Sequence, residues 1–345
     1  MKFLTINLKK NLSTIIVTSF IVCLVLFSKS NMEAIKTGLT LWATSVVPSL
    51  FPFFVGTELL YRTTFVNFLK RFFTKFMRPV FNLPGESAIA FILGNISGYP
   101  VGAKLACNLL ENNQCTKIEA ERIIAFTNNS SPLFIIGTVG VSMFYSKEIG
   151  LALLLCHFLA SFTVGILFRN YKKDKENKET LYKNYNSSYK NSPTINFSNL
   201  GEVLGESIKN SINLILTIGG FIVLFSVIIS ILNESQIFNI LANFFVRFGI
   251  SENVTKAILS GLLEVTNGLK ISSSLQTKSL ASNLLLSSFL LGFGGLSVMF
   301  QVYSIIAKQK LSIRPYIYGK FLQAIFSVIY MFILIKAFPF LTYKL

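Results

Sequence analysis

Gly94-Asn95-Ile96-Ser97-Gly98-Tyr99-Pro100-Val101-Gly102-Ala103-Lys104-Leu105 is the stretch that decides the fold. It continues an apolar run, residues 88–93, and so belongs at membrane depth. Three glycines and a proline deny it a smooth helix. Pro100 lacks an N–H and crowds the preceding turn, and Gly98 and Gly102 permit backbone angles that other residues resist. Broken backbone survives inside a bilayer only where protein or a water-filled cavity satisfies its polar groups. Lys104 adds a charge that a lipid-facing wall does not tolerate cheaply. Close helix packing through small residues would explain the glycines alone. With Asn95, Ser97, Pro100 and Lys104 in the same dozen positions, the stretch reads as a re-entrant or unwound segment lining a polar site.

The composition around it is that of a polytopic membrane protein. The chain has 345 residues, 52% hydrophobic and only 14% charged, with 34 phenylalanines. Its mean hydropathy is +0.59. A soluble domain carries about a quarter charged residues. The net charge of +17 would point to nucleic acid in a soluble protein. Here the basic residues sit mainly in loops between apolar runs, so the positive-inside pattern and anionic lipid headgroups account for them, and no nucleic-acid partner is expected. Cys23, Cys107, Cys115 and Cys156 lack metal-ligand spacing and read as small buried hydrophobes.

Lys2, Lys9 and Lys10 precede an apolar run, residues 12–27, read as an uncleaved first span with a cytoplasmic N-terminus. Residues 38–61 form the next span. Pro48 and Pro52 predict a kink or break near Ser49, and Glu58 is either a snorkelling end residue or a partner for Lys104. A basic amphipathic helix follows, with Phe65, Phe68, Leu69, Phe72, Phe73, Phe76 and Met77 on one face and Lys70, Arg71, Lys75 and Arg78 on the other. It is expected in the cytoplasmic membrane interface. Residues 123–144 carry Asn128-Asn129-Ser130-Ser131-Pro132 near their start, either a second polar break or a capping turn at the surface. Residues 149–168 are a plain span whose His157, the chain's single histidine, is expected to hydrogen-bond a neighbouring helix. Residues 169–194 are hydrophilic and lysine-rich, a flexible cytoplasmic linker between halves.

The second half opens with a span at 208–232. An apolar stripe follows from Ile237 to Phe248 with Arg247 as its charge, then apolar runs at 258–271, 280–306 and 317–338. The order span, interfacial Phe-rich helix, Gly/polar stretch, Gly-bearing span and last span thus occurs twice. Ile92-Leu93 and Gly102-Ala103-Lys104-Leu105 match Ile258-Leu259 and Gly268-Leu269-Lys270-Ile271 at one offset. Placing all basic loops in the cytoplasm makes the halves opposite in orientation, the plan of many secondary transporters. The expected fold is therefore all-α and polytopic. It has an N-terminal span (1–30), a first repeat (31–168), a linker (169–199) and an inverted second repeat (200–345), with broken helices and interfacial amphipathic helices. On this reading Asn95, Ser97, Gly98, Pro100, Gly102, Lys104, Asn128, Asn129 and Ser130 face Glu264, Thr266, Asn267 and Lys270 across the centre. Glu264 would pair with either lysine.

Several motifs resemble one family. They are Trp42 with residues 47–53 (Val-Pro-Ser-Leu-Phe-Pro-Phe), residues 97–104 (Ser-Gly-Tyr-Pro-Val-Gly-Ala-Lys), and Glu119-Ala120-Glu121-Arg122 with residues 128–140. Gly261-Leu262-Leu263-Glu264-Val265-Thr266-Asn267-Gly268 is a further one. Together they resemble the YlbJ-type sporulation integral membrane proteins over nearly the whole chain. That family belongs to the nucleoside-recognition, or Gate-domain, class, with concentrative nucleoside transporters, spore maturation proteins and the membrane part of a ferrous-iron transporter. The resemblance implies a multi-pass protein of the mother-cell or forespore membrane that acts in spore cortex formation.

Two functions fit these residues. One is handling of a small polar solute, nucleoside-like or cortex-related, at a midplane site. The other is a non-transporting scaffold for cortex-assembly proteins, with other sporulation membrane proteins as partners. Membrane lipid is a partner in both. No cofactor or metal is called for. An intramembrane enzyme is not expected, because one histidine and few carboxylates leave little acid–base equipment, and no P-loop is present.

Overall fold

A computed structural model describes residues 8–63, 65–172, 199–275 and 280–342, without the side chains of residues 8–10, 65–67, 69 and 70. The lysine-rich linker expected at 169–194 therefore lies almost wholly outside the described residues, as do Lys2 and part of the first amphipathic face. The described residues are helical, with no strand among them. Five stretches are long and apolar enough to cross a membrane: Ser28–Tyr61, Lys147–Phe168, Leu200–Glu234, Leu280–Gln309 and Arg314–Ala337. The chain is an all-α polytopic membrane protein.

Helix α1 (Leu8–Leu26) touches the rest mainly through α2 (Ser28–Leu41) and leaves Leu12, Ile15, Val25 and Leu26 more than half exposed, as a lipid-facing span would. After α2 the chain makes a π-helical turn, Trp42–Val46, and continues as α3 (Val47–Tyr61). The interruption expected near Ser49 is thus displaced towards the N-terminus. Pro48 cannot donate to the carbonyl four residues back and its ring crowds that carbonyl, so the preceding turn widens and the helix runs on through Ser49.

The amphipathic α4 (Phe65–Phe81) exposes Phe68, Phe72, Arg71 and Lys75 and buries Met77. Next come α5 (Ala88–Ser97) and α6 (Val101–Glu111), which pack against each other as a hairpin. Helix α7 (Lys117–Thr127) starts with a capping box. The Thr116 hydroxyl accepts the Glu119 N–H, and Glu119 returns a bond to the Thr116 N–H, worth about 1 kcal/mol. After an interruption the chain continues as a π-helical segment, Phe134–Met143, and returns as α8 (Lys147–Phe168).

The second half runs through the long α9 (Leu200–Glu234), α10 (Ile237–Val246), α11 (Glu252–Leu263), α12 (Val265–Ser274), α13 (Leu280–Phe293), α14 (Gly295–Ile306) and α15 (Arg314–Ala337). Helices α11 and α12 again form a close hairpin, and α10 exposes Ile240, Phe244 and Phe248. Helix α15 packs against α7, α8 and α13, while α9 packs against α2 and α3, so the two halves interleave.

One end of the bundle gathers the basic loops. Arg62 bonds Glu206 at 2.7 Å. The buried Glu121 accepts from Lys172 (2.9 Å) and from the backbone N–H of Ser312 (3.1 Å). Arg122 donates to the carbonyl of Tyr171 at 2.9 Å, and Gln309 bonds Glu111. Hydrogen bonds with Tyr171 and Glu121 hold the Lys172 ammonium above the usual lysine range. These contacts bring the ends of α3, α6, α7, α8, α9, α14 and α15 together at this basic end.

Candidate functional site

Four helix interruptions build the centre. The first lies between α5 and α6, where Gly98 has φ +90° and the Tyr99–Pro100 peptide is cis. A side chain at Gly98 would meet a backbone that L-residues rarely adopt. The second is Asn128–Pro132, between α7 and the π-helical segment. The third is Glu264, extended at φ −141°, ψ 115°, between α11 and α12. The fourth is the Gly294–Gly295 pair between α13 and α14. Asn128, Asn129, Ser130 and Ser131 are all at most 2% exposed. The reading of this run as a capping turn at the membrane surface is therefore replaced by a buried break.

Three of the interruptions meet at a small cavity whose wall is mainly apolar, with Val46, Leu50, Phe134, Ile222 and Val298, and to which Ser130, Glu264, Thr266 and Gln301 add polar groups beside Gly98 and Tyr99. Measured at the centres of the waters it would hold, its volume is about 20 Å³. One water needs about 10–15 Å³ on that measure, so the chamber has room for about one water. Glu264 caps α12. Its Oε2 accepts the Asn267 N–H (2.8 Å) and its Oε1 accepts the Thr266 hydroxyl (3.1 Å). The helix N-terminus thus carries the carboxylate, and no cation lies within ion-pair distance of it among the described residues.

Neither lysine is the partner of Glu264. Lys104 pairs with Glu58, whose other oxygen accepts from Asn210 (3.5 Å). Glu58 is thus that partner and not merely a snorkelling end residue. Lys270 sits six residues beyond Glu264, a rise of about 9 Å along a helix, and faces away from the centre. The two lysines line separate vestibules. Lys104, Asn108, Glu111, Asn213 and Lys308 border one of about 490 Å³ at the basic end. Lys270 borders two others, of about 530 and 670 Å³, which share Thr37, Lys270 and Ser274. Asn267 also turns to that side and donates to Ser226 at 3.1 Å. Gln301 and Ile218 line both the basic-end vestibule and the cavity, so the wall there is thin. No lining residue is shared with the opposite vestibules.

The other expected residues hold the breaks in place. Ser97 bonds Thr57. Asn128 accepts the Ala103 N–H (3.4 Å) at the start of α6 and donates to Tyr316 (3.4 Å). Gly102 lies flat against the carbonyl of Thr127. Asn129 donates to Asn95 Oδ1 (2.8 Å), to Ser161 (2.8 Å) and to the Phe126 carbonyl (2.7 Å). Its Oδ1 accepts from Lys320 Nζ (2.9 Å) and Gln323 Nε2 (2.8 Å). The Ser130 N–H donates to His157 Nε2 at 3.3 Å, so the histidine serves a neighbouring segment, as expected.

Lys320, Gln323, Gln301 and Tyr99 were not among the sequence-derived candidates. A signal for the first two was present: a lysine inside an apolar run with no carboxylate a turn away, and an amide three residues on, hence on the same face. Nothing in the sequence marked Gln301, whose value depends on where α14 begins. No cluster of three or more potential metal ligands occurs among the described residues.

A many-span helical membrane protein with broken helices around a central cavity is the class these features define. The Gate family model, described as nucleoside recognition, matches residues 43–152, from the π-turn ahead of α3 into α8 and across the first two interruptions. The chain is also 34% identical over 346 aligned positions to the sporulation integral membrane protein YlbJ of Bacillus subtilis (strain 168), covering 96% of this chain and 84% of that protein. The chain belongs to the YlbJ family of sporulation integral membrane proteins. Neither that relative nor the matched family is described as an enzyme. No solved structure matches the chain.

Proposed function

We infer that the chain binds and moves a small polar solute, of nucleoside-like size or smaller, across a sporulating cell's membrane in support of cortex formation, and that it is not an enzyme. The observation that carries this reading is the small cavity where three helix interruptions meet, mostly apolar but with Ser130, Glu264, Thr266 and Gln301 in its wall, and with open vestibules on both sides. Cavity-lining broken helices are where membrane proteins tolerate unpaired backbone, and paired breaks mark solute sites in transporters. Ser130, Glu264 and Thr266 offer hydroxyl and carboxylate contacts to such a solute. Asn95, Asn128 and Asn129 hold the site from behind. Lys104 and Lys270 serve the two approaches. The thin wall at Gln301 and Ile218 makes the basic-end side the one that opens first.

The two halves act as inverted repeats, 31–168 and 200–345, about a linker at 169–199. The offset that aligns Lys104 with Lys270 also aligns Gly98 with Glu264, so the sequence repeat superimposes the two hairpin breaks. The positive-inside rule makes the basic end cytoplasmic. Single cysteines at Lys75 and Lys308 in a cysteine-free background should then be labelled by an impermeant maleimide only after permeabilisation. Cysteines at Glu234 and Arg247 should be labelled in intact cells. Labelling of all four from the same side would remove the inversion.

The binding test uses full-length protein in detergent and a panel of nucleosides and amino sugars, read by calorimetry. At least one should bind, and Glu264→Gln should weaken it at least tenfold with the helical content unchanged, since the capping role alone is worth about 1 kcal/mol. No binding by any member, together with normal spores from the Glu264→Gln strain, would refute solute handling.

A further inference from the structure

Lys320 lies about two turns into α15 and is 1% exposed. No carboxylate stands within ion-pair distance of it among the described residues. Its Nζ donates to two amide oxygens, Asn129 Oδ1 and Gln323 Oε1, each at 2.9 Å. The Tyr316 ring lies below it at 5.9 Å. Asn129 in turn binds the Phe126 carbonyl in the last turn of α7. That end of α7 carries the negative pole of the helix dipole, exposed by the break. The groups that contact the ammonium are therefore two neutral amide oxygens and a ring face, and it reaches the α7 C-terminus through Asn129. Among the described residues, Tyr316 on α15 is the titratable side chain in its ring contact, and His157 on α8 is reached one bond further through Gln323; the bonds drawn here need neither to be charged.

Neutral oxygens converging at a broken helix's C-terminal end make a seat for a monovalent cation. Here a tethered ammonium occupies it. We propose that Lys320 is a built-in cation, covalently attached, that holds the α7 break closed behind Ser130, so that this seat takes no dissociable sodium, lithium or potassium ion. The seat lies behind the cavity and is separate from it, and the inference does not depend on solute handling. A lysine in this role reaches the break from another helix. Movement of α15 relative to α7 would withdraw the charge and release Asn129, which gives the break a second arrangement without any ion leaving the protein.

The test is thermal melting of the full-length protein in detergent at constant ionic strength, in sodium, lithium, potassium or N-methylglucamine chloride. The wild type should melt at one temperature in all four. Lys320→Ala removes a propylammonium-sized piece. It should melt lower, by about 3 °C or more, and regain part of the loss with millimolar n-propylammonium but not with tetramethylammonium, which has no N–H to donate. Lys320→Met, which keeps the volume, should also melt lower and stay indifferent to propylammonium, since its own side chain fills the space. Stabilisation of the wild type by one alkali cation over N-methylglucamine would overturn the proposal, whatever the variants do. So would rescue of Lys320→Ala by tetramethylammonium to the same degree, or a Lys320→Met protein as stable as the wild type. Because melting is read without any solute, failure here is distinct from failure of the binding test above.

Discussion

Asn129→Leu should leave little folded protein in the membrane. The side chain joins α5, α8 and α15 to the end of α7: its two amide hydrogens are shared among Asn95, Ser161 and the Phe126 carbonyl, and its oxygen accepts from Lys320 and Gln323, about four bonds in all. Neutral interhelical bonds inside membranes average only about 0.6 kcal/mol each, so the neutral ones sum to about 2 kcal/mol. The bond to the ammonium is worth more, about 1.5–3 kcal/mol, because its loss leaves a buried charge short of an acceptor. A total near 4 kcal/mol is a large share of a typical folding free energy. Melting in detergent and yield after solubilisation measure it. The second substitution Lys320→Met, made in the Asn129→Leu protein, should recover a good part of the loss, since it removes the stranded charge and with it the largest contribution. If the double variant's loss relative to the wild type equals the sum of the two single losses, the two side chains are not coupled and the network has been misassigned.

Gly102→Ala is the second large effect. An added Cβ would sit 2.3 Å from the carbonyl oxygen of Thr127 and 2.7 Å from its carbon. Both are backbone atoms of the α7 break, held by Asn128 and Asn129, so they cannot yield as a side-chain tip would. Overpacking of this kind costs about 1–3 kcal/mol, and the strain falls on the segment that presents Ser130 to the cavity. Melting temperature and solute affinity should fall together. Gly56→Ala is the control. Nothing lies within 4 Å of its added Cβ in the middle of α3, and removing a helical glycine gains up to about 1 kcal/mol. A Gly102→Ala protein as stable as Gly56→Ala would show that the hairpin and the break are not in contact.

Much of this was legible in the residues. Length, hydropathy and loop charge pointed to a many-span helical membrane protein, because a bilayer admits only helices or closed barrels and apolar runs of this length fit helices. The breaks at Gly98–Pro100 and Asn128–Pro132 were also visible, since proline and clustered amides fail as helix interiors for local reasons. The prolines at 48 and 52 showed a disturbance but not its place, because a helix under strain gives way in the turn before the proline. Pairing was much less legible. Glu264 and Lys104 are charges of opposite sign near two breaks, and a pair was the economical guess. The structure assigns Glu58 to Lys104 and the α12 N-terminus to Glu264, an outcome fixed by which way each helix runs from its break. Lys320 was passed over because a span was read for its average hydropathy, and one buried charge hardly changes an average. Its importance comes from three helices that lie far from it in sequence.

The cluster around Glu121 has one further consequence. A single buried carboxylate on α7 ties the end of the first half, through Lys172, to the turn before α15, through the Ser312 amide. Arg62 with Glu206 and Glu111 with Gln309 fasten the same seam. None of these ties runs through residues 173–198. A gene cut in that interval and expressed as two polypeptides should therefore reassemble into one particle that co-purifies through detergent, and the natural joint would then serve to deliver the halves together, not to keep them together.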